Sequence, residues 1–373
     1  MDCLDFGTPK VTTMNVRVNL LAIFVLSICS TCAHAQFDTV INLPENPDSP
    51  NPSGFSGNSI GNNSGISSDT QLNVSDGGSI MFFFEAGAED VPSTNVEVNI
   101  SGGTVGIGFD ANSGSTINIS GGTVGDIDAN SGSTVNISGG VVDRFFDAES
   151  GSTVNISGGT VGRNFNAFDG STVNISGGAV GAFFDAFSGS TVNISGGEVG
   201  PGFDAESGST VNISGGTVGF DFDANSGSTV NISGGTVGFS FAANSGSTVN
   251  ISGGTFGVDF EAESGSTVNI FATDFFLNDT SIDTLTVGET IAIFDRGEDV
   301  VLSGVFADGT LFDFDLIPNL SLFYSLDFFD PSSTLTITRV AAIPEPGCGL
   351  TLATMSLVLL VRRRRRALRY HQS

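Results

Sequence analysis

Along most of the chain, short apolar and polar runs alternate with a fixed period. The segment VNISGGTVG and close variants recur so that a central asparagine falls at 99, 118, 136, 155, 174, 193, 212, 231, 250 and 269, every step being 19 residues except one of 18. Val or Ile precedes each of these asparagines and Ile follows it. Successive side chains on a strand point to opposite faces, so the two apolar residues share one face while Thr, Asn and Ser take the other. A second apolar position lies six residues after each Asn, running from Val105 to Phe256. A third is aromatic: Phe109, Phe146, Phe165, Phe184, Phe203, Phe222, Phe241 and Phe260, with Ile127 in its place where the unit is one residue short. Ala follows two residues later in every unit, from Ala111 to Ala262. Gly-Gly and Ser-Gly-Ser separate the runs, so each unit reads as three brief strands joined by turns.

A repeat near 20 residues made of strand-sized pieces predicts a solenoid, because one unit cannot bury its apolar side alone. At roughly 3.3 Å per residue, one unit makes a circuit of about 60 Å, enough for a rounded triangle with one layer of side chains inside. The fold expected is all-β: a parallel β-helix of about ten 19-residue coils stacked at roughly 4.8 Å into a rod of about 45–50 Å. Residues 69–270 hold these repeats, including a degenerate first coil centred on Asn73, and residues 271–340 carry further strand patterns that predict a carboxyl-terminal β-cap. Residues 36–68, rich in Pro, Asn, Ser and Gly, are expected to be a disordered linker.

Composition then narrows the class. The net charge is −28, yet between residues 36 and 343 the basic side chains are Arg144, Arg163, Arg296 and Arg339, with no lysine. An acidic body repels nucleic acid and anionic membranes, so no nucleic-acid partner is expected. The two histidines, His34 and His371, and the four cysteines lie in the terminal segments. The usual nucleophile–base triads, Schiff-base chemistry and His or thiolate metal sites therefore have no residues in the body, and a non-enzymatic role is expected.

Three outward features remain. Asp110, Asp128, Asp147, Asp185, Asp204 and Asp223 follow the aromatic position and should align as an acidic row, interrupted by Asn166, Ala242 and Glu261. No cofactor is expected; Ca²⁺ on this row is the one candidate, although the repeat differs from the G-G-x-G-x-D nonapeptide of calcium-binding β-rolls. The asparagines should hydrogen-bond along the stack. Nine of them sit in N-I-S, formally a glycosylation sequon. Arg144 and Arg163, 19 apart, should be adjacent and near Asp128 and Asp147, either as a structural ion pair or, on the alternative reading, as part of a polysaccharide lyase or glycosidase on the β-helix.

Both ends read as targeting segments. From Met14, a possible true start, one arginine precedes an apolar stretch, and Ala33-His34-Ala35 before Gln36 has the small-x-small form of a signal-peptide cleavage site, so residues 1–35 are expected to be removed. At the other end Pro344, Glu345 and Pro346 precede an apolar run over 347–361 and then Arg362, Arg363, Arg364, Arg365 and Arg366. The run predicts a short transmembrane helix whose arginines hold that end in the cytoplasm, leaving the acidic body outside.

This tripartite tail, 344–366, resembles that of the PEP-CTERM proteins. The resemblance implies sorting in a Gram-negative bacterium by a membrane-embedded exosortase, through an intermediate anchored in the inner membrane, to the cell surface or exopolysaccharide matrix. Exopolysaccharide and cell-surface glycans are the partners it suggests. The repeat also resembles the 19-residue strand-loop-strand units of large autotransporter adhesins, which implies a surface-displayed β-helix; no membrane barrel of alternating strands follows. The function expected is that of an exported structural or adhesive component.

Overall fold

A computed structural model describes residues 37–45, 51, 57–88, 93–318 and 327–342. Among these residues every regular element is a strand. The two targeting segments, with Ala33, Ala35, Gln36, Pro344, Glu345, Pro346, the 347–361 run and Arg362, Arg363, Arg364, Arg365 and Arg366, lie outside the described residues.

The strands wind into a parallel β-solenoid. Coil 1 shows its three sides as separate strands: an asparagine side, Thr39–Leu43, a valine side, Ser59–Ile60, and a third side, Ser64–Ile66. Coil 2 repeats them as Thr70–Val74, Ser79–Ile80 and Phe84–Ala86, and each pairs in parallel with its counterpart above. From coil 3 onward the asparagine and valine sides merge into one bent strand, such as Thr172–Val180 in coil 7, while the phenylalanine side stays a triplet such as Phe184–Ala186, except in coils 5 and 6, where Thr134–Ala148 and Thr153–Ala167 run through all three sides. Eleven complete coils result, centred on Asn42, Asn73, Asn99 and their successors to Asn250.

Two of these coils lie upstream of the regular repeat. The described parts of the expected linker, 36–68, thus include coil strands, Thr39–Leu43, Ser59–Ile60 and Ser64–Ile66: Ile41 and Leu43 are buried, and Asn42 pairs with Asn73. Its Pro- and Asn-rich composition belongs to an insertion between the first two sides, which lengthens the Asn-to-Asn step and hides the period.

In-register stacking places like on like throughout the core. Val173 and Ile175 from the asparagine side, Val180, Phe184 and Ala186 are each at most 3% exposed, and the same holds for their equivalents in neighbouring coils. Fully burying each large apolar side chain contributes about 1.5–3 kcal/mol, so the columns supply the main driving force. Phe146, Phe165, Phe184 and Phe203 stack face to face with centroids 4.6–4.7 Å apart and ring planes within 10°. From Phe203 to Phe222 and on to Phe241 the rings turn to edge contacts of 63° and 64°, the other favoured aromatic geometry.

The Gly-Gly corner is dictated by the same stacking. Gly197 has φ +77°, and a Cβ on Gly196 would sit 2.4 Å from the Ser176 carbonyl oxygen one coil away. Only two consecutive glycines let the backbone turn so close to its copy.

After coil 11 a twelfth asparagine-side strand, Thr267–Ala272, opens the cap. Thr334–Arg339 adds to it in parallel and Thr290–Ala292 closes that edge antiparallel, while Phe328–Phe329 covers Phe260–Ala262. A separate antiparallel sheet of Asp274–Leu277, Thr280–Ser281, Val301–Val305 and Leu311–Asp315 completes the end.

The 18-residue step shows where the coil tolerates change. Coils 4 and 5 stay in register at Val124 with Val142 and again at Ile127 with Phe146, so the missing residue falls in the corner between them. In most coils that corner carries a left-handed residue such as Ser240 at φ +57°, and coil 4 lacks it. Deleting Ser240 should accordingly leave circular dichroism and the unfolding midpoint nearly unchanged. Deleting Asn231 should abolish cooperative unfolding, because a one-residue slip sends the following apolar residue to the wrong face.

Candidate functional site

The outward faces carry three rows, each fixed by the register of the coils. On the asparagine side, twelve asparagines from Asn42 to Asn269 form one chain of amide hydrogen bonds. Each Nδ2 donates to the Oδ1 of the preceding coil at 2.8–3.0 Å, as Asn193 does to Asn174 and Asn212 to Asn193. The Thr336 hydroxyl donates to Asn269 Oδ1 at the cap and continues the chain there. All the amide dipoles point the same way, so each bond polarises the next. The sequon asparagines are thus structural: the nitrogen that a glycan would occupy is already a donor within the stack.

On the phenylalanine side, Glu85, Asp110, Asp128 and Asp147 are direct Cα partners in successive coils, and Asp185, Asp204 and Asp223 form a second run. Asn166 separates the two runs and donates from Nδ2 to Asp147 Oδ1 at 2.7 Å. Partial burial comes first and like charge second in their effect on protonation. Burial, then Asp147, Asp110, Asp126 and Glu149, push Asp128 up to about 7. Burial, then Asp223, Asp185 and Glu206, push Asp204 up to about 6. Asp185, Asp223 and Glu261 are raised for the same leading reason.

A further outer row escapes the sequence reading. The residue after each conserved-position Ala runs Asn112, Asn130, Glu149, Phe168, Phe187, Glu206, Asn225, Asn244, Glu263. It is a second ladder with mixed chemistry: Asn130 donates to Asn112 Oδ1 at 2.9 Å, Asn244 to Asn225 Oδ1 at 2.9 Å, and Phe168 stacks on Phe187 at 5.0 Å. The signal was present in the fixed offset from Ala, but the changing residue type concealed it. Between this row and the acidic row lies a groove of about 490 Å³, lined by Glu85, Asp110, Asn112, Asn130 and Glu149 among others. Among the described residues, no group of three or more His, Cys, Asp or Glu side chains is arranged to hold a metal ion. The carboxylates stand side by side along the axis rather than converging on one point.

Arg144 and Arg163 are partners in register, as their spacing requires. They do not face the acidic row. Arg144 Nε lies 3.9 Å from Asp143, its own chain neighbour, with both side chains more than half exposed, and its guanidinium sits 5.8 Å from the centre of the Phe145 ring. Both arginines are exposed at the corner between the valine and phenylalanine sides, and among the described residues no ion pair joins either of them to Asp128 or Asp147.

No family model matches the chain, and no curated protein matches it. Among solved structures it is similar to a crystal structure of a TibC-catalysed, hyper-glycosylated TibA fragment. That alignment has 18% identity and a TM-score of 0.38, and covers 63% of this chain and 89% of the other. The β-helix assignment rests on the parallel, in-register pairing of the coils themselves.

Two outcomes follow from the rows. Replacing Asn193 by Ala removes its donor bond to Asn174 and its acceptor for Asn212, and should lower unfolding stability in urea by about 1–3 kcal/mol. The acidic row sets the pH dependence. Because the folded pKa of Asp128 and Asp204 exceeds the ordinary value of 3.8, the folded state binds more protons than the unfolded one between 3.8 and about 7. The stability supported by protonation is complete below that ordinary value and is lost as pH rises through the folded pKa. The melting temperature should fall from pH 5 to pH 8 at constant ionic strength, and Asp128→Asn should raise it at pH 8 and flatten the slope. A melting temperature that climbs over this range would show that the row is not repulsive.

Proposed function

We propose that this chain is an exported, non-catalytic rod that serves as a structural or adhesive component of a bacterial cell surface or exopolysaccharide matrix. The observation that carries the proposal is the equivalence of the coils. The main outward rows recur at the same angular position in successive coils: the asparagine chain without a break, and the acidic row in runs. Such a surface offers many copies of one contact and suits extended, multivalent attachment. Chemistry at a single bond instead calls for a singular constellation of groups.

Export and sorting are part of the same proposal. The signal-peptide pattern ending at Ala35, together with Pro344-Glu345-Pro346, the apolar run and the five arginines, supports delivery through the inner membrane and processing by an exosortase in a Gram-negative host. The positive-inside arrangement leaves the acidic body on the outer face during the anchored stage.

Intact mass and cell fraction of the protein from its native host test the proposal together. The expected species begins at Gln36, ends near Pro344 and partitions with the surface or matrix. Mass beyond that of the processed chain would reveal glycosylation. A cytoplasmic full-length species would overturn the export reading, and a full-length species held in the membrane would overturn release.

A further inference from the structure

One edge of the rod, the corner between the valine and phenylalanine sides, carries aromatic rings that the core does not use. Phe83 and Phe183 are 58% and 56% exposed, against at most 2% for the core phenylalanines from Phe84 to Phe260. Phe145, Phe220 and Phe239 lie on the same edge and are also exposed. Three of these rings occupy a costly backbone position: Phe83, Phe145 and Phe183 have φ of 58°, 52° and 63°. Equivalent corners in other coils hold Gly108, Asn164, Gly202 and Asp221, all with positive φ and all residue types that suit that conformation. A bulky aromatic residue there combines backbone strain with exposed apolar area, which points to a role outside the fold.

The packing keeps the rings accessible. A Cβ on Gly108 would lie 2.6 Å from the Phe83 ring, and one on Gly202 would lie 3.1 Å from the Phe183 ring. Phe83 and Phe183 therefore each lie against the bare glycine backbone of the next coil while remaining more than half exposed. Phe220 and Phe239 stack on each other at 4.9 Å and prolong the line. Polar groups sit between the rings, namely Arg163, Asn164, Asp221 and Ser240.

We infer that this edge binds an uncharged, extended polysaccharide along the rod axis. From Phe83 in coil 2 to Phe239 in coil 10 the stripe runs for about 38 Å, and three corner residues give it a width of about 10 Å. That is roughly 380 Å², about half of the 800 Å² per partner that a stable protein–protein contact buries, so a second folded surface finds too little area. A single extended chain matches it. The edge presents no free backbone hydrogen-bonding groups in a row, because the coils pair with one another, so it offers a peptide no strand to extend. Charge selects further: the chain's −28 repels polyanions, leaving a neutral polymer. Apolar rings alternating with amide, hydroxyl and charged groups complement sugar rings, whose C–H faces are apolar and whose hydroxyl rims are polar.

The inference rests on the reading of this protein as an exported surface or matrix rod, and the test separates the two. Mobility of the protein recovered from its host is measured in native gels containing hydroxyethylcellulose, a soluble β-1,3-glucan or galactomannan, with alginate as the anionic comparison. Retardation is expected in at least one neutral polymer and not in alginate alone. The substitutions Phe83→Asn, Phe145→Asn and Phe183→Asn use the residue that coil 6 already places at this corner, Asn164, so the fold should persist by circular dichroism. Each ring removed should weaken the apparent affinity by about three- to tenfold. Should the triple variant lose its fold, Phe220→Ala with Phe239→Ala serves the same purpose, because these two rings sit one residue before the positive-φ position of their corners. Unchanged mobility in every neutral gel, or equal retardation of a folded variant, overturns the inference. So does a wild-type dimer in sedimentation that the variant fails to form, which would assign the edge to a second copy. A rod found at the surface that binds no neutral polymer overturns this inference alone; one that binds glycan but stays in the cytoplasm overturns the export reading alone.

Discussion

Parallel stacking in register, with every residue placed over its own equivalent, is the constraint from which the rest of this protein follows. Because neighbouring coils are separated by the spacing of hydrogen-bonded strands, a side chain suits its position only if it suits a copy of itself at that distance. Phenylalanine meets the condition by stacking at 4.6–4.7 Å. Asparagine meets it by carrying both a donor and an acceptor, so that each amide serves two neighbours in line. Glycine pairs meet it at the tightest corner, where the coil above leaves no room for a Cβ.

Carboxylates fail this condition, and the acidic row shows how the chain contains the failure. Charges of one sign held about 5 Å apart repel by about 1 kcal/mol in water and by more where water is displaced. Asn166 breaks the run with a donor to Asp147, and Ala242 breaks it with no charge at all. Within the unbroken stretches, burial and repulsion favour the protonated form, which turns Asp128 from an acceptor-only group into one that can donate. The row is thus a standing cost of repetition rather than a chelating array, since the axial spacing that aligns the carboxylates also prevents them from converging.

Much of this was legible in the residue pattern because a solenoid converts sequence period directly into spatial adjacency. The core columns, the asparagine chain and the acidic row all follow from counting 19, and the short unit was absorbed with Ile127 in the aromatic column. What was hidden lay where the period breaks or the residue type varies. Coil 1 escaped because the insertion between its first two sides places Asn42 well over one repeat before Asn73. The outer row beginning at Asn112 escaped because Asn, Glu and Phe alternate in it without a common hydropathy. Arg144 and Arg163 were correctly placed beside each other, but their contact with the acidic row depended on which way a corner turns, and spacing alone does not encode that.

The two ends answer a problem that in-register stacking creates. A coil that fits its own copy so well also exposes, at each end, an edge ready to accept another chain. At the first coil, residues 39 and 43 bond downward, through the Thr39 amide to Asp69 and the Leu43 carbonyl to Ser75, so alternation turns the Asn42 peptide groups upward. Asn51 folds over them: its Oδ1 accepts from the Asn42 amide at 2.8 Å and its Nδ2 donates to the Asn42 carbonyl at 2.7 Å. One carboxamide thereby supplies what a further coil would have supplied, and Glu45 holds it in place by accepting from the backbone of Asn51 and Gly57. At the far end the direction of pairing changes instead, because Thr290–Ala292 runs antiparallel to the last axial strand and no parallel coil can follow. Asn51, held by Glu45 within the segment that obscured the first coil in the sequence, thus occupies the hydrogen-bonding positions that a further coil would need at Asn42.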